Sequence, residues 1–273
     1  MIGKDELNKE ELRPIESWKN PEFLASPEAR IVRIIAEYLE PAARFRQYNV
    51  NNTVVFWGSA RIKSPKEARA SLAEAEKTGT REDIVHAEKK VELSRYYTDA
   101  ARVAELVTRW SKSLKNPKHE FLVATGGANG IMEAANFGAS RAGGKSIGLG
   151  ISLPFETGLN RYITRELALQ FHYFFMRKFW MVYLAKALIA FPGGLGTLDE
   201  LMEVLTLIQT GKPRKKMPVI LYGSHYWNDV LHFDAMARWG TMSPQDLHLF
   251  RMYDTPEEAF EYLKERLTAL YLT

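Results

Sequence analysis

The chain has 273 residues, 46% of them apolar and none of them cysteine, which excludes disulfide scaffolds, zinc–thiolate centres and cysteine nucleophiles. Thirty-seven basic residues against 33 acidic ones leave a net charge of +4, too small an imbalance to mark a nucleic-acid binder. The longest apolar stretch, from Phe171 to Phe191, is interrupted by Arg177, Lys178 and Lys186, so no membrane span of ~20 apolar residues is expected.

In chain order, the opening MIGKDELNKEEL has no apolar signal core and carries acidic residues that a mitochondrial presequence avoids, so cytoplasmic residence is expected. Residues 1–50 hold no convincing strand. Ile31, Ile34, Ile35 and Tyr38 recur at helical spacing within Ala29–Glu40, which predicts a helical N-terminal extension. Thr53–Trp57 reads as a buried strand running into the turn Gly58-Ser59-Ala60-Arg61. Residues 64–90, rich in Lys, Glu and Ala and opened by the capping-box pattern Ser64-Pro65-Lys66-Glu67, predict an exposed helical insertion. An amphipathic helix follows from about Val91 to Leu114.

From Phe121 onward strands alternate with helices. Predicted strands are Phe121–Ala124, Ser146–Leu149, Ala187–Phe191, Val219–Leu221 and Leu249–Tyr253. Predicted helices run to about Arg141, from about Phe174, over Leu198–Gln209 and Tyr226–Arg238, and after the cap Thr255-Pro256-Glu257-Glu258. A longer excursion passes through Pro154, Gly158 and Asn160, and Lys212, Arg214, Lys215 and Lys216 form a basic loop read as solvated. The alternation specifies a doubly wound α/β fold, a mainly parallel Rossmann-like sheet with helices on both faces. The expected organisation is a helical extension over residues 1–50 and a nucleotide-binding catalytic domain over 51–273.

Ligands of such sheets sit beyond the carboxyl ends of the strands, where backbone N–H groups at helix starts meet an anion. Two strand-to-helix turns have that form: Gly126-Gly127-Ala128-Asn129-Gly130, and Pro192-Gly193-Gly194-Leu195-Gly196-Thr197. Glycine lets the main chain approach a phosphate closely, and Thr197 adds a hydroxyl donor. Gly144-Lys145-Ser146 mimics the end of a P-loop but precedes a strand, with Ala139 where a glycine is required. The dinucleotide fingerprint fails too, because Gly194-Leu195-Gly196 lacks its third glycine, which disfavours an NAD-dependent oxidoreductase.

Glu200 has two open roles. Its spacing from Thr197 suits a capping box, and it also sets a carboxylate beside the proposed phosphate, with Asp199 pointing elsewhere around the helix. Arg177 and Lys178 interrupt an aromatic stretch, and buried charge needs a partner or an anion. Arg177 suits a carboxylate or phosphate, whereas Lys178 can equally snorkel to the surface. Ser59 is a candidate ligand contact. The His residues, His225 and His232 among them, show no metal spacing, and no metal is implied.

These residues resemble the LOG family, the cytokinin-activating nucleoside-monophosphate phosphoribohydrolases formerly labelled possible lysine decarboxylases. FPGGLGTLDEL at 191–201 resembles the family's PGGxGTxxE, MRK at 176–178 its arginine–lysine helix, and TGGANGIMEAAN at 125–136 its TGGGPGIMEAAN segment. WGSAR at 57–61 and LTLIQTGK at 205–212 extend the resemblance to roughly residues 53–270. Ala128 and Asn129 stand where the family has glycine and proline. The run from Phe174 to Lys178 is similar to longer bacterial members and differs from the plant-like Met-His-Glu form.

The resemblance implies an N-glycosyl hydrolase that cleaves a nucleoside 5′-monophosphate, AMP-like or with a modified purine, to free base and ribose 5-phosphate. It makes Arg177 and Glu200 the catalytic pair and puts Gly193, Gly194, Gly196 and Thr197 on the phosphate. Gly126, Gly127, Gly130, Ser59, Lys178 and Glu133 complete the expected nucleotide site, with Glu133 a candidate contributor to departure of the base. No cofactor is expected, since no motif identifies the Schiff-base lysine a decarboxylase would need. The expected partner is the nucleotide alone, without nucleic acid or membrane, in a homodimer or larger homo-oligomer. The rival expectation is a non-catalytic nucleotide sensor using the same pocket.

Overall fold

A computed structural model of the chain describes residues 14–153, 158–213 and 215–272. Pro154 and Arg214, named in the excursion and the basic loop, lie outside the described residues. A short helix α1 (Pro21–Ala25) and a long helix α2 (Arg30–Gln47) lead into strand β1 (Asn52–Trp57). Helices α3 (Pro65–Thr78), α4 (Arg81–Leu93) and α5 (Arg95–Ser113) precede β2 (Phe121–Thr125), α6 (Ile131–Arg141) and β3 (Ser146–Ile151). Then come β4 (Ala168–Phe171), α7 (Phe174–Tyr183), β5 (Ala185–Ala190), α8 (Leu195–Gln209) and β6 (Val219–Tyr222). Helices α9 (Ser224–Val230) and α10 (Phe233–Arg238), strand β7 (Arg251–Tyr253) and helix α11 (Pro256–Tyr271) complete the order.

All strands join one sheet in the order β4-β3-β2-β1-β5-β6-β7, and every pairing is parallel. The chain therefore winds outward twice from β1, once toward β4 and once toward β7, and the winding direction switches between β1 and β5. Strands buried on both faces need continuous apolar runs. In β1 the alternation sends Val55 and Trp57 to one core and Val54 and Phe56 to the other. The first core also receives Phe45 of α2, Trp180 of α7 and Leu201 of α8; the second receives Tyr96 and Val107 of α5, Ile131 of α6 and Leu263 of α11.

Several expected boundaries move. The excursion before Phe174 contains a strand, β4, that the pattern concealed: an edge strand of four residues, with only Leu169 and Phe171 buried, is too short and too half-covered to stand out. The insertion is two helices, α3 capped by Ser64 and Glu67 and α4 capped by Thr80 and Asp83, separated at Gly79. The helix expected over Tyr226–Arg238 is divided into α9 and α10. Helix α8 begins at Leu195, three residues before the expected Leu198, and this earlier start changes the reading of the site.

Helix α2 is fastened to the sheet's β4 edge and to α7. The Glu37 carboxylate accepts from the backbone N–H groups of His172 and Tyr173, Trp180 Nε1 donates to the Glu37 carbonyl, and Arg44 donates to the carbonyl of Ala168. Those bonds fix the start of α7, the helix that carries Arg177.

Candidate functional site

Strand β5 ends at Ala190, and the chain turns through Pro192, Gly193 and Gly194 into α8, whose N-cap is Gly194 with no side chain closing the helix end. The first amide groups of a helix have no intrahelical acceptor, so this end offers donors to a ligand. A side chain at Gly193 would collide with the Thr197 hydroxyl, while Gly194 and Gly196 border open space. Thr197 is buried with its hydroxyl over Gly193, and Leu195 stands 85% exposed at the mouth of the turn.

Starting α8 at Leu195 overturns the capping-box geometry for Glu200. Thr197 lies inside the helix, and Glu200 falls in the second turn, where it turns toward α7. Arg177 Nη2 donates to Glu200 Oε1 at 2.8 Å, with the side chains 13% and 11% exposed. Burial pushes the Glu200 carboxyl up to about 7, against the opposing pull of the Arg177 guanidinium. The pair is joined through one carboxylate oxygen, and Arg177 Nε is buried without a hydrogen-bond partner. A buried guanidinium N–H left unmatched is a donor awaiting an acceptor. The Arg177 guanidinium also sits 5.4 Å from the centre of the Phe174 ring.

One residue along each helix, the charges are matched differently. Lys178 Nζ lies 2.7 Å from Asp199 and 3.0 Å from Glu203, beside a cavity of about 660 Å³ that Leu195, Leu198 and Met202 help to line. Lys178 thus has two acidic partners of its own.

The first turn is brought to the same place. An added Cβ at Gly126 would lie 3.8 Å from Arg177 Nη1, so this residue borders the guanidinium. Gly130 has φ +70°, and a side chain there would strike the Ser59 carbonyl. Ser59 links the two turns through its backbone: its N–H donates to the Pro192 carbonyl at 2.9 Å, and its carbonyl accepts from Ile131 N–H at 3.2 Å. Its hydroxyl accepts from Arg61 N–H. Glu133 sits half-buried in the first turn of α6, its carboxyl raised by burial and by Glu67, and makes no hydrogen bond to Arg177 or Glu200.

A buried polar network that the sequence reading missed holds the first turn. Thr125 Oγ1 accepts from Gly127 N–H and donates to Asn136 Oδ1. Asn160 Nδ2 donates to that same oxygen and to the carbonyls of Gly127 and Ala128. Asn136 could have been singled out as an amide on the apolar face of α6, but nothing near Asn160 in sequence foretells its contact with a turn some thirty positions earlier. Among the described residues no cluster of His, Asp and Glu is placed to hold a metal, and no helix is long and apolar enough to cross a membrane.

The family model described as possible lysine decarboxylase matches residues 132–263. A cytokinin riboside 5′-monophosphate phosphoribohydrolase of Arabidopsis thaliana is 31% identical over 174 residues, which cover 62% of this chain and 70% of that protein. The chain belongs to the LOG family. A probable cytokinin riboside 5′-monophosphate phosphoribohydrolase of Oryza sativa subsp. japonica is 38% identical over 90 residues, 33% of this chain and 36% of the relative. The chain therefore spans only about a third of the length of that LOG-family relative. Among solved structures, a Moco carrier protein from Chlamydomonas reinhardtii aligns at 17% identity and TM-score 0.46, covering 81% of this chain and 99% of that one. The segment matched by the LOG-family model contains Glu133, Arg177, Lys178, Glu200 and the second glycine turn; Ser59 and the first turn precede it.

Proposed function

We propose that this LOG-family chain hydrolyses the N-glycosidic bond of a nucleoside 5′-monophosphate, AMP-like or with a modified purine, to the free base and ribose 5-phosphate. The carrying observation is the Arg177–Glu200 pair, buried and joined through a single oxygen, in which α7 supplies Arg177 and Glu200 stands on α8, the helix whose uncapped start is the second glycine turn. Relatives named as cytokinin riboside 5′-monophosphate phosphoribohydrolases support that reaction class.

In this reading the 5′-phosphate docks on the amides of Gly194 and Gly196, with Gly193 and Thr197 shaping the turn. Breaking the bond between C1′ and the base leaves positive charge on the sugar, which an ionised Glu200 stabilises in a site with little water. Arg177 fixes one Glu200 oxygen and so orients the carboxylate toward the sugar. Water adds its oxygen to C1′, the base departs with the bonding electron pair, and the proton lost by water balances the one the base gains. Glu200 in its ionised form can orient that water. Gly126, Gly127, Gly130 and Ser59 wall the ligand on the side of the first turn, Lys178 supports the Glu200 helix through Asp199 and Glu203, and Glu133 assists departure of the base.

The enzyme in this reading is a cytoplasmic homo-oligomer. Ile31, Ile35 and Leu39 on α2 and Phe175, Phe179 and Tyr183 on α7 are exposed apolar side chains that support contact between copies.

Incubation of the chain with AMP, followed by chromatography, is expected to yield adenine and ribose 5-phosphate in equal amounts. Glu200→Gln should lower release by about a hundredfold or more while AMP still binds. Saturable AMP binding by the unaltered chain with no adenine released would sink the hydrolase and leave the nucleotide sensor.

A further inference from the structure

The second glycine turn is held from behind by a residue outside the pair and both glycine motifs. Tyr226, on the first turn of α9, donates its hydroxyl to the Gly193 carbonyl at 2.9 Å. Its ring is half-buried and packs edge-on against Trp227, 5.2 Å between centres. Trp227 is fully buried, and its indole N–H is shared by the carbonyls of Ala190 and Tyr222, the last residues of β5 and β6. The donor that reaches Gly193 is therefore mounted on an anchored helix.

A peptide unit is planar, and in its trans form the C=O of one residue and the N–H of the next point in opposite directions. Holding the Gly193 carbonyl on the α9 side consequently turns the Gly194 N–H to the opposite side, and a side chain built at Gly194 would meet nothing within 4 Å. Glycine has no Cβ to fix its rotation, so without a latch the Gly193–Gly194 peptide could flip and present a carbonyl oxygen, which repels phosphate. From the other face, Thr197 crowds Gly193 and limits its movement.

We propose that Tyr226 is a positioning residue that fixes the Gly193–Gly194 peptide with its N–H toward the phosphate of the substrate. This rests on the phosphate-docking part of the proposed function and does not depend on base release. Its contribution lies in binding the phosphate, so it acts on KM and on product affinity, and leaves the bond-breaking step to Arg177 and Glu200.

The test uses Tyr226→Phe, which removes one hydroxyl and keeps the ring. Tyr222→Phe is the control, since Tyr222 gives a similar hydroxyl bond to the Asp254 carbonyl away from the turn. Ribose 5-phosphate titrated into the unaltered chain should shift the Gly194 amide resonance. Tyr226→Phe should weaken ribose 5-phosphate about three- to tenfold, the worth of one hydrogen bond, and diminish that shift. KM for AMP should rise by a similar factor with kcat changed less than about twofold, and Tyr222→Phe should leave the affinity unchanged. The proposal is overturned if ribose 5-phosphate leaves the Gly194 amide of the unaltered chain undisturbed. It is equally overturned if Tyr226→Phe lowers only the melting temperature, or if both variants weaken binding alike. A chain that binds ribose 5-phosphate through Gly194 and releases no base would defeat the hydrolase and leave the role of Tyr226 standing.

Discussion

At the scale of single residues, the proposed role of Glu200 sets an expected pH dependence. Its carboxyl is raised to about 7 by burial, and the proposed reaction needs the ionised form. Base release from AMP at limiting substrate should therefore climb as pH rises through about 7 and fall about tenfold for each unit below it. The same shift acts on stability with the opposite sense. A carboxyl whose folded pKa exceeds its unfolded value binds more protons folded than unfolded, so its contribution favours the fold below about 4.5, declines as pH rises from there to about 7, and then levels off. Rates measured from pH 5.5 to 8.5 would contradict the assignment if they were flat. Arg177 and Glu200 were both legible in the sequence as charges in unusual surroundings. The sequence left a carboxylate or a phosphate open as the partner of Arg177; the contact with Glu200 depends on α8 starting at Leu195 and so turning Glu200 toward α7.

At the scale of elements, the two glycine turns are held by different means. The second is an open helix start braced by Thr197 and Tyr226, whereas the first is tied down by Thr125, Asn136 and Asn160. Asn160→Ala should destabilise the chain by about 1–3 kcal/mol, because the buried carbonyl of Gly127, the half-buried carbonyl of Ala128 and the buried Asn136 amide oxygen lose a donor. Chemical denaturation would show this as a lower midpoint with an unchanged slope, and an unaltered midpoint would contradict the bracing role. Glycine spacing revealed that two turns existed. It carried no information on what stands behind them, since Asn160 and Tyr226 reach the turns only through the packing of other segments.

At the scale of the whole molecule, the exposed apolar side chains of α2 and α7 lie close together, with the rings of Tyr38 and Phe179 5.7 Å apart. The proposed assembly predicts a dimer or larger species in sedimentation at micromolar concentration. Ile35→Asp together with Phe179→Asp should shift it toward monomer; a monomeric unaltered chain would remove this part of the proposal. The sequence by itself determined the alternation of strands and helices, the parallel sheet and the two glycine turns, because each follows from hydrophobic periodicity and backbone chemistry within a short window. Only the tertiary structure decided that the sheet reverses between β1 and β5, that β4 forms its edge, and that Arg177 meets Glu200 beside Gly126. Those outcomes arise from contacts between segments far apart in the chain, whose geometry is set by how whole helices pack on the sheet.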